Sequence, residues 1–494
     1  MNKISHSIQK VFLEIDTPSM AMANSIKNNL AVFLQNEVVP IFEKHFNSIK
    51  NIDNQVIQIE KLEINLQSII GKNDISFSNN DIKNQIGKEV QKALNELQKT
   101  TKNEGKRSSE ILTISPEDKD LKTLLYFIEN GSMPWWISNV NEADFFKKIN
   151  PDQFKNDVFR IPFIRLIQQK KVQNRIINQF SNPEIVLLIS AVLGLEKQQK
   201  TVSKNSLIEF LNQKTHAFKA AFWQLIFDFG IEKKPLNLIK FYYKEQSQFS
   251  SNKITFEGFI ENIKPLVPLD FTNEELIQMK TDYLVSEKEK SIIKINSDTI
   301  KEETKSESEI HLKEESIVED DYREDSTSAS SKSCYVQNAG LIILHPFLKE
   351  MLKSCDLMDD NNTLLNKELA AHILHYTATK RENDYEHLML FEKFLCGIPL
   401  QQSIQKEVTI DDKHKQQVEE MLASAVHHWT ALKNTSTAVL RSEFLQREGK
   451  LDWSESNPKL TIERKMQDLL LEKIPWNISI IKIPWIQKLI YTQW

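Results

Sequence analysis

Along the first seventy residues the apolar positions change period twice. Val11, Leu13 and Ile15 alternate with polar residues, the period of a strand, and Asp16-Thr17-Pro18-Ser19 then supplies a break and capping residues. From Met20 to Ile49 the residues Ile26, Leu30, Phe33, Leu34, Ile41, Phe42, Phe46 and Ile49 recur mostly at three- and four-residue steps. That spacing predicts an amphipathic helix, kinked or interrupted at Pro40, which lacks an amide donor. In Val56 to Leu66 the alternation returns, with Ile57 and Ile59 in one phase and Leu62, Ile64 and Leu66 in the other. The slip at Glu60-Lys61 predicts a bulge or a break between two short strands. A small β-α-β unit is therefore expected over residues 1–70.

A helix over Asp81 to Lys99 and a polar connection over Thr100 to Ser109 are expected within residues 71–117. Residues 118–284 read as an all-helical block. Leu121, Leu124, Leu125 and Ile128 share a helix face that Gly131-Ser132-Met133-Pro134 ends, and Leu187–Leu195 and Phe218–Phe229 are dense enough in apolar residues to pack inside. Pro162, Pro183, Pro235, Pro265 and Pro268 are expected to punctuate this block into short helices. Residues 285–334 break the pattern, with few large apolar side chains and a Ser-rich end, and read as a flexible linker. The last segment, 335–494, is rich in aromatics: Trp429, Trp453, Trp476, Trp485 and Trp494 lie in its second half. There Ile474-Pro475-Trp476 and Ile483-Pro484-Trp485 bracket the extended run Asn477–Ile483. The expected fold is mainly α and multi-domain, with the small N-terminal β-α-β unit and a short extended segment near the C-terminus.

Composition narrows the function classes. Only 10 of 494 residues are glycine, against a usual ~7%, so Gly-rich phosphate loops are poor prospects. The formal charge of −5 is concentrated. Between Val285 and Ser333, 14 acidic residues face 8 basic ones, a local charge of −6, and the rest of the chain is close to neutral. No basic field for nucleic acid is present. Cys334, Cys355 and Cys396 form no CxxC pair, which fits a reducing compartment, and no apolar run is long enough for a membrane span. A cytoplasmic protein is expected, without nucleic-acid or membrane partners.

Candidate chemistry is sparse. His372 and His375, at i and i+3, can share a helix face, with His345, His387, Cys396, His427 and His428 elsewhere in the segment. A zinc site needs further ligands at suitable spacing, and the pair is not HExxH, so buried or capping histidines are the simpler reading. Cys396 lies in the apolar run Phe394–Pro399 without an evident activating base. Ser436 or Thr435 reads as a helix cap rather than a nucleophile. The segment Gln446-Arg447-Glu448-Gly449 reads as a helix end closed by glycine. Trp135-Trp136 reads as core rather than a binding anchor. With no GxSxG, GxxxxGK[ST] or GxGxxG, the expectation is a protein that is not an enzyme, with no catalytic residue, cofactor, metal or small-molecule substrate.

Several motifs occur in one order: His6–Asp16 and Ile59–Leu66 at the start, then Asn338–Leu348, Ala371–Tyr376, Lys393–Leu400, His428–Ser436, Phe444–Leu451, and Ile474 to Trp494 at the end. In these stretches the chain resembles the tape measure proteins of bacterial contractile injection systems, which are phage-tail-like particles. The resemblance covers about 70 residues at the start and 160 at the end. It implies a structural or assembly role that helps to set inner-tube length, with tail tube, hub or baseplate, and tube-terminator proteins as partners. It also implies a location in the cytoplasm or in the assembled particle. A soluble chaperone or adaptor absent from the mature particle is the alternative. The resemblance assigns no catalytic role. His345, Pro346, Phe347, His375, Trp429, Trp476 and Trp485 are candidates for a partner interface or for packing.

Overall fold

The computed structural model describes residues 6, 8, 11, 33–48, 56–59, 62–64, 80–103, 111–134, 136–137, 146, 149–193, 206–264, 266, 271–272, 274–287, 332–432 and 435–494. It is mostly helical, with a five-stranded sheet near the C-terminus. Two compact units divide the chain: residues 1–127 with 133–153, and residues 128–132 with 154–494.

In the first unit, Ile86, Val90 and Leu94 recur at four-residue steps along the helix Asn80–Asn103 and form its buried stripe. Phe33 and Val38 join them, with Ile41, Phe42 and Phe46 packed alongside. The winding changes just before Pro40: Leu34–Val38 is a π turn, and Pro40 then occupies the first turn of the helix Val39–Asn47, where its missing N–H goes unneeded. Strand β1, Val56–Ile59, stops where the alternation slips, and Leu62 and Ile64 pack on the same core beyond it. The expected β-α-β unit is not shown among the described residues. The described partner of β1 is the antiparallel β2, Ile111–Ile114, which follows the helix Asn80–Asn103, with Val56 opposite Ile114 and Ile59 opposite Ile111. Of the expected first strand, Val11 is described as irregular and exposed, and Leu13 and Ile15 lie outside the described residues.

The second unit contains the middle helices. Asp157–Leu166, Lys170–Gln179, Asn182–Leu193, Ser206–Asn212, His216–Glu232, Pro235–Lys244 and Phe256–Ile263 are followed by a helix over 274–287. Pro235 opens a helix, as its fixed φ favours. Pro162 departs from the expected punctuation and sits inside Asp157–Leu166, whose buried Phe159 and Phe163 hold the turn in place. Pro265 and Pro268 lie outside the described residues. The aromatic density is spent on one cluster. Phe249 meets Phe210, Phe218, Tyr242 and Phe259 with ring centroids 5.0–5.8 Å apart, within the range of favourable ring pairs.

The C-terminal part of this unit surrounds the helix Lys367–Thr379. Its residues Ala370 to Ala378 are all buried, polar His372, His375 and Thr377 included, so it is enclosed on every side and central. Asn366 caps its start by accepting from the Leu369 N–H at 3.0 Å, and Lys380, at φ 62°, ends it in the left-handed region. Carbonyls in its last turn are satisfied from outside: Arg441 Nε donates to Thr377 O at 2.9 Å and Gln446 Nε2 to Ala378 O at 2.9 Å. Five strands, β3 (Ser333–Val336), β4 (Gly449–Asp452), β5 (Lys459–Ile462), β6 (Ile480–Ile481) and β7 (Ile490–Gln493), order themselves β3-β4-β5-β7-β6, with β5 and β7 parallel. Val336, Leu451, Leu460, Ile462, Ile481 and Ile490 face the core, while Tyr335, Lys450, Lys459, Thr461 and Tyr491 face outward. Only β6 corresponds to the expected extended segment. The other strands are four residues each, too short for alternation to separate them from loops.

Two glycines are required by close approach. A Cβ on Gly340 would collide with the carbonyl of Phe444. Gly449 is not the left-handed helix cap expected of it: it opens β4, where a Cβ would stand 2.7 Å from Ala339 Cβ and 3.0 Å from Thr461 O. Because Phe444 belongs to the π turn Arg441–Leu445 and cannot yield like a side-chain tip, Gly340→Ala should destabilise the unit by at least the ~1–3 kcal/mol usual for overpacking. Chemical denaturation of the full chain checks this, and an unchanged midpoint would mean the approach is looser than drawn.

Candidate functional site

The second unit buries charge as well as hydrocarbon. Helix Lys170–Gln179 is fixed from the side of the middle helices. Lys170 pairs with Asp228 at 2.5 Å, Gln224 donates to Gln173 at 2.6 Å, and Trp223 Nε1 donates to Asn182 at 2.7 Å. Its inward face carries Val172, Ile176 and Ile177, and among them the fully buried Arg175. The Arg175 guanidinium donates through Nε to Glu386 Oε1 at 2.5 Å. Its Nη1 donates to the carbonyls of Ile128 at 2.9 Å and Glu129 at 2.8 Å, and Nη2 to the carbonyl of Gln401. Arginine suits this role because its planar fork reaches a carboxylate and several carbonyls at once.

Gly131 makes room for the pair. Its φ of +73° terminates the helix Pro116–Asn130, and a Cβ there would lie 2.8 Å from Glu386 Oε1 and 2.9 Å from Arg175 Nε. Any other residue would be strained in the backbone and would also invade the ion pair.

Glu386 sits in the short 3-10 turn Glu386–Met389, and its second oxygen accepts from Lys393 Nζ at 3.0 Å. Lys393, on the helix Leu390–Leu395, also donates to the carbonyls of Leu400 at 2.8 Å and Gln402 at 2.5 Å. Desolvation pushes the Lys393 pKa down, Glu386 opposes that shift, and the neighbouring Arg175 charge adds to it. Gln179 completes the joint, donating to Ile404 O at 2.7 Å and accepting from the Glu386 N–H at 2.8 Å.

Beside it, His375 lies in the middle of Lys367–Thr379 with no exposed surface. Its Nδ1 is 2.9 Å from Glu392 Oε1 and its Nε2 is 2.8 Å from Asp384 Oδ2. Asn338 donates to Glu392 Oε1 at 2.7 Å, and Arg381 Nε is 3.0 Å from Asp384 Oδ2. Desolvation alone would lower the His375 pKa, but the hydrogen bonds and charges of Asp384 and Glu392 outweigh it and raise the value.

The other sequence candidates are placed as follows. His372 turns away from His375 and bonds Gln405 O at 2.8 Å, and burial lowers its pKa. The two histidines therefore do not converge, and among the described residues no group of three His, Cys, Asp or Glu side chains is arranged to hold a metal ion. Cys396 is fully buried and desolvation drives its thiol pKa up; the Cys334 thiol is pushed to about 12 and Cys355 to about 11 for the same reason. A thiol so raised stays protonated and is a poor nucleophile. Ser436 caps the short helix Thr437–Leu440 by accepting from Val439 N–H. Trp136 is half-buried with its ring 5.9 Å from that of Tyr126, and Trp135 lies outside the described residues.

Three tryptophans fasten the C-terminal tail. Trp429 Nε1 donates to Leu470 O at 3.1 Å, Trp476 to Ile343 O at 2.9 Å, and Trp485 to Leu395 O at 2.7 Å. Phe347 meets Trp476 edge-on at 5.1 Å; His345, its pKa lowered by burial, bonds Ile342 O at 3.1 Å; Pro346 is exposed in the first turn of His345–Ser354.

Sequence patterning singled out neither Arg175 nor Glu386, Lys393, Asp384 or Glu392. The available signal was charge inside apolar runs, as in Phe391-Glu392-Lys393-Phe394-Leu395. Two outcomes follow from the geometry. Glu386→Gln leaves two buried cations facing no carboxylate and should cost about 3–5 kcal/mol in denaturant unfolding, whereas a cost under ~1 kcal/mol would show the network to be solvated. For His375, the folded pKa lies above the unfolded value of about 6.5, so its contribution is full below that pH and is lost as pH rises through the folded pKa. The stability difference between the natural chain and His375→Gln should therefore shrink with rising pH, by at most ~1.4 kcal/mol per unit. Denaturation measured from pH 6 upward, stepping through about 6.5, tests the sign; a difference that grows with pH would contradict it.

Among the described residues no helix is long and apolar enough to cross a membrane. No curated protein and no solved structure matches the chain. A family model does, over residues 5–494, so the match takes in the middle helices with the buried network as well as both ends. The chain belongs to the contractile injection system tape measure protein family.

Proposed function

We propose that this chain is a structural component in the assembly of a contractile injection particle and helps to set the length of its inner tube. The family match over residues 5–494 carries this reading. The tail tube, the hub or baseplate and a tube terminator are the proposed partners, and the role requires no catalysis. Of the residues singled out in the sequence, exposed Pro346 and half-buried His345, Phe347, Trp476 and Trp485 are open to a partner in this reading, while buried Trp429 and His375 serve packing.

A single uninterrupted helix of 494 residues would span ~740 Å at ~1.5 Å per residue. The longest described helix has 24 residues. In this reading length comes from folded bodies and the chain between them rather than from one rod. The domain division at 118–284, 285–334 and 335–494 is part of this proposal, with the acidic stretch as spacer; residues 288–331 lie outside the described residues.

The second reading is an assembly chaperone or adaptor that leaves before maturation. The buried Arg175–Glu386–Lys393 network favours a globular working form, which such a role would use unchanged. Tube length in particles carrying an in-frame insertion or deletion within residues 288–331, or a duplication within 118–284 that spares Arg175 and Gln179, separates the two. Lengths that follow the change are the expected result. Normal lengths, with the protein missing from purified particles, would sink the ruler and leave the adaptor.

A further inference from the structure

We infer that residues 332–494 are a separately folded domain held to the middle helices by a polar latch centred on Arg175, and that the latch opens while both sides stay folded. This goes beyond length control and holds whichever assembly role the chain has.

Most buried apolar side chains of the C-terminal part form one cluster, with buried Tyr385 and Leu388 outside it. Its buried members all come from residues 336–490, and the side chains packed around them from 334–494. Outside the first unit, the more extensive packings between elements likewise fall within the middle helices or within the C-terminal part. Among the described residues, the hydrogen bonds that join the two fall on one loop and one turn. Arg175 reaches Gln401 O and Glu386, Gln179 reaches Ile404 O and the Glu386 N–H, Asn178 Nδ2 donates to Ser403 Oγ at 3.2 Å, and Lys406 N–H donates to Asn178 O at 2.9 Å. An aromatic contact, Phe180 with Tyr385 at 6.1 Å, accompanies them.

The charge arrangement lets such a joint part. If helix Lys170–Gln179 withdraws, Glu386 keeps Lys393 as its counterion, and Lys393 keeps the carbonyls of Leu400 and Gln402. On the other side Arg175 keeps the carbonyls of Ile128 and Glu129 and gains water. Neither half is left with a buried charge that lacks a partner, which is the outcome that makes breaking most buried ion pairs prohibitive. Polar groups exposed by opening exchange their protein partners for water at a modest net cost, whereas opening either hydrophobic core has no such compensation.

Native-state hydrogen exchange on the full chain tests this. In the unmodified chain the Glu386 and Lys406 amides, whose acceptors belong to the middle helices, should exchange together and at lower denaturant than Leu451, Leu460 and the helix Lys367–Thr379. In Arg175→Met those two amides should exchange about tenfold faster or more, the change expected when a hydrogen bond to a charged group is lost, with the C-terminal core unchanged. Exchange of joint and core at one common rate in the unmodified chain would overturn the inference. So would an Arg175→Met variant in which joint protection is unaltered, or in which joint and core fall by the same factor. Gln179→Ala, which removes the Glu386 amide's own acceptor without changing charge, serves through the Lys406 amide, bonded to Asn178 O, if Arg175→Met does not fold.

Discussion

A guanidinium withdrawn from water must find its hydrogen bonds within the protein, and Arg175 finds them on groups far apart in sequence. It holds the carbonyls that end the helix Pro116–Asn130, the Glu386 carboxylate and the Gln401 carbonyl at once. The left-handed turn at Gly131, the 3-10 turn that presents Glu386 and the path of the loop through Gln401–Ile404 all answer to that one side chain. Desolvation lowers the Lys393 pKa and the Arg175 charge adds to that, so with two cations for one carboxylate the surrounding carbonyl dipoles are needed as well as the carboxylate. A hydrophobic joint of the same size would tolerate sliding. A forked, directional one does not, so the register between the middle helices and the C-terminal part is fixed wherever the latch is closed.

How much of this was legible in the sequence depends on whether the determining contact is local. Helix faces such as Ile86-Val90-Leu94 and Leu121-Leu124-Leu125-Ile128 are written in a repeat of three to four residues, and the structure buries them. The winding change ahead of Pro40 was visible because proline lacks an amide donor, and the end of β1 at Ile59 because the alternation breaks there. The sheet was not. Strands β3, β4, β5 and β7 are short, and β5 gains its parallel partner only when the chain returns from Ile462 to Ile490. Gly449 was legible as a special position but for the wrong reason, since the demand comes from Ala339 and Thr461 rather than from its own φ.

The charged network was hidden for a related reason. Arg175 occupies a helix whose other polar residues make it look like a solvated surface, and its carboxylate partner lies 211 positions away. Histidine pairs drew attention instead because ligand spacing is a local pattern. His372 and His375 do share one helix, yet the first is spent on a loop carbonyl and the second on two carboxylates, so spacing alone overstated what they have in common. A charged residue inside an apolar run, as in Phe391–Leu395, is the more useful warning, because an unpaired charge there would not be tolerated.

The same distinction bears on what a tape measure protein can be physically. A ruler made of one continuous helix would need an unbroken apolar or coiled-coil seam, and would leave its side chains few distant contacts to make. This chain instead spends its aromatic residues on local clusters around Phe249 and on tail staples at Trp429, Trp476 and Trp485, all of which reward folding back rather than extension. Extending the C-terminal part would expose that apolar surface and would separate Asp384 and Glu392 from His375, so it is the portion least suited to being drawn out. The Arg175 joint differs in kind, because each of its charges has a second partner on its own side. If the chain changes its reach within the described residues, the least costly place for it to do so is therefore at that joint, with the folded bodies on either side kept whole.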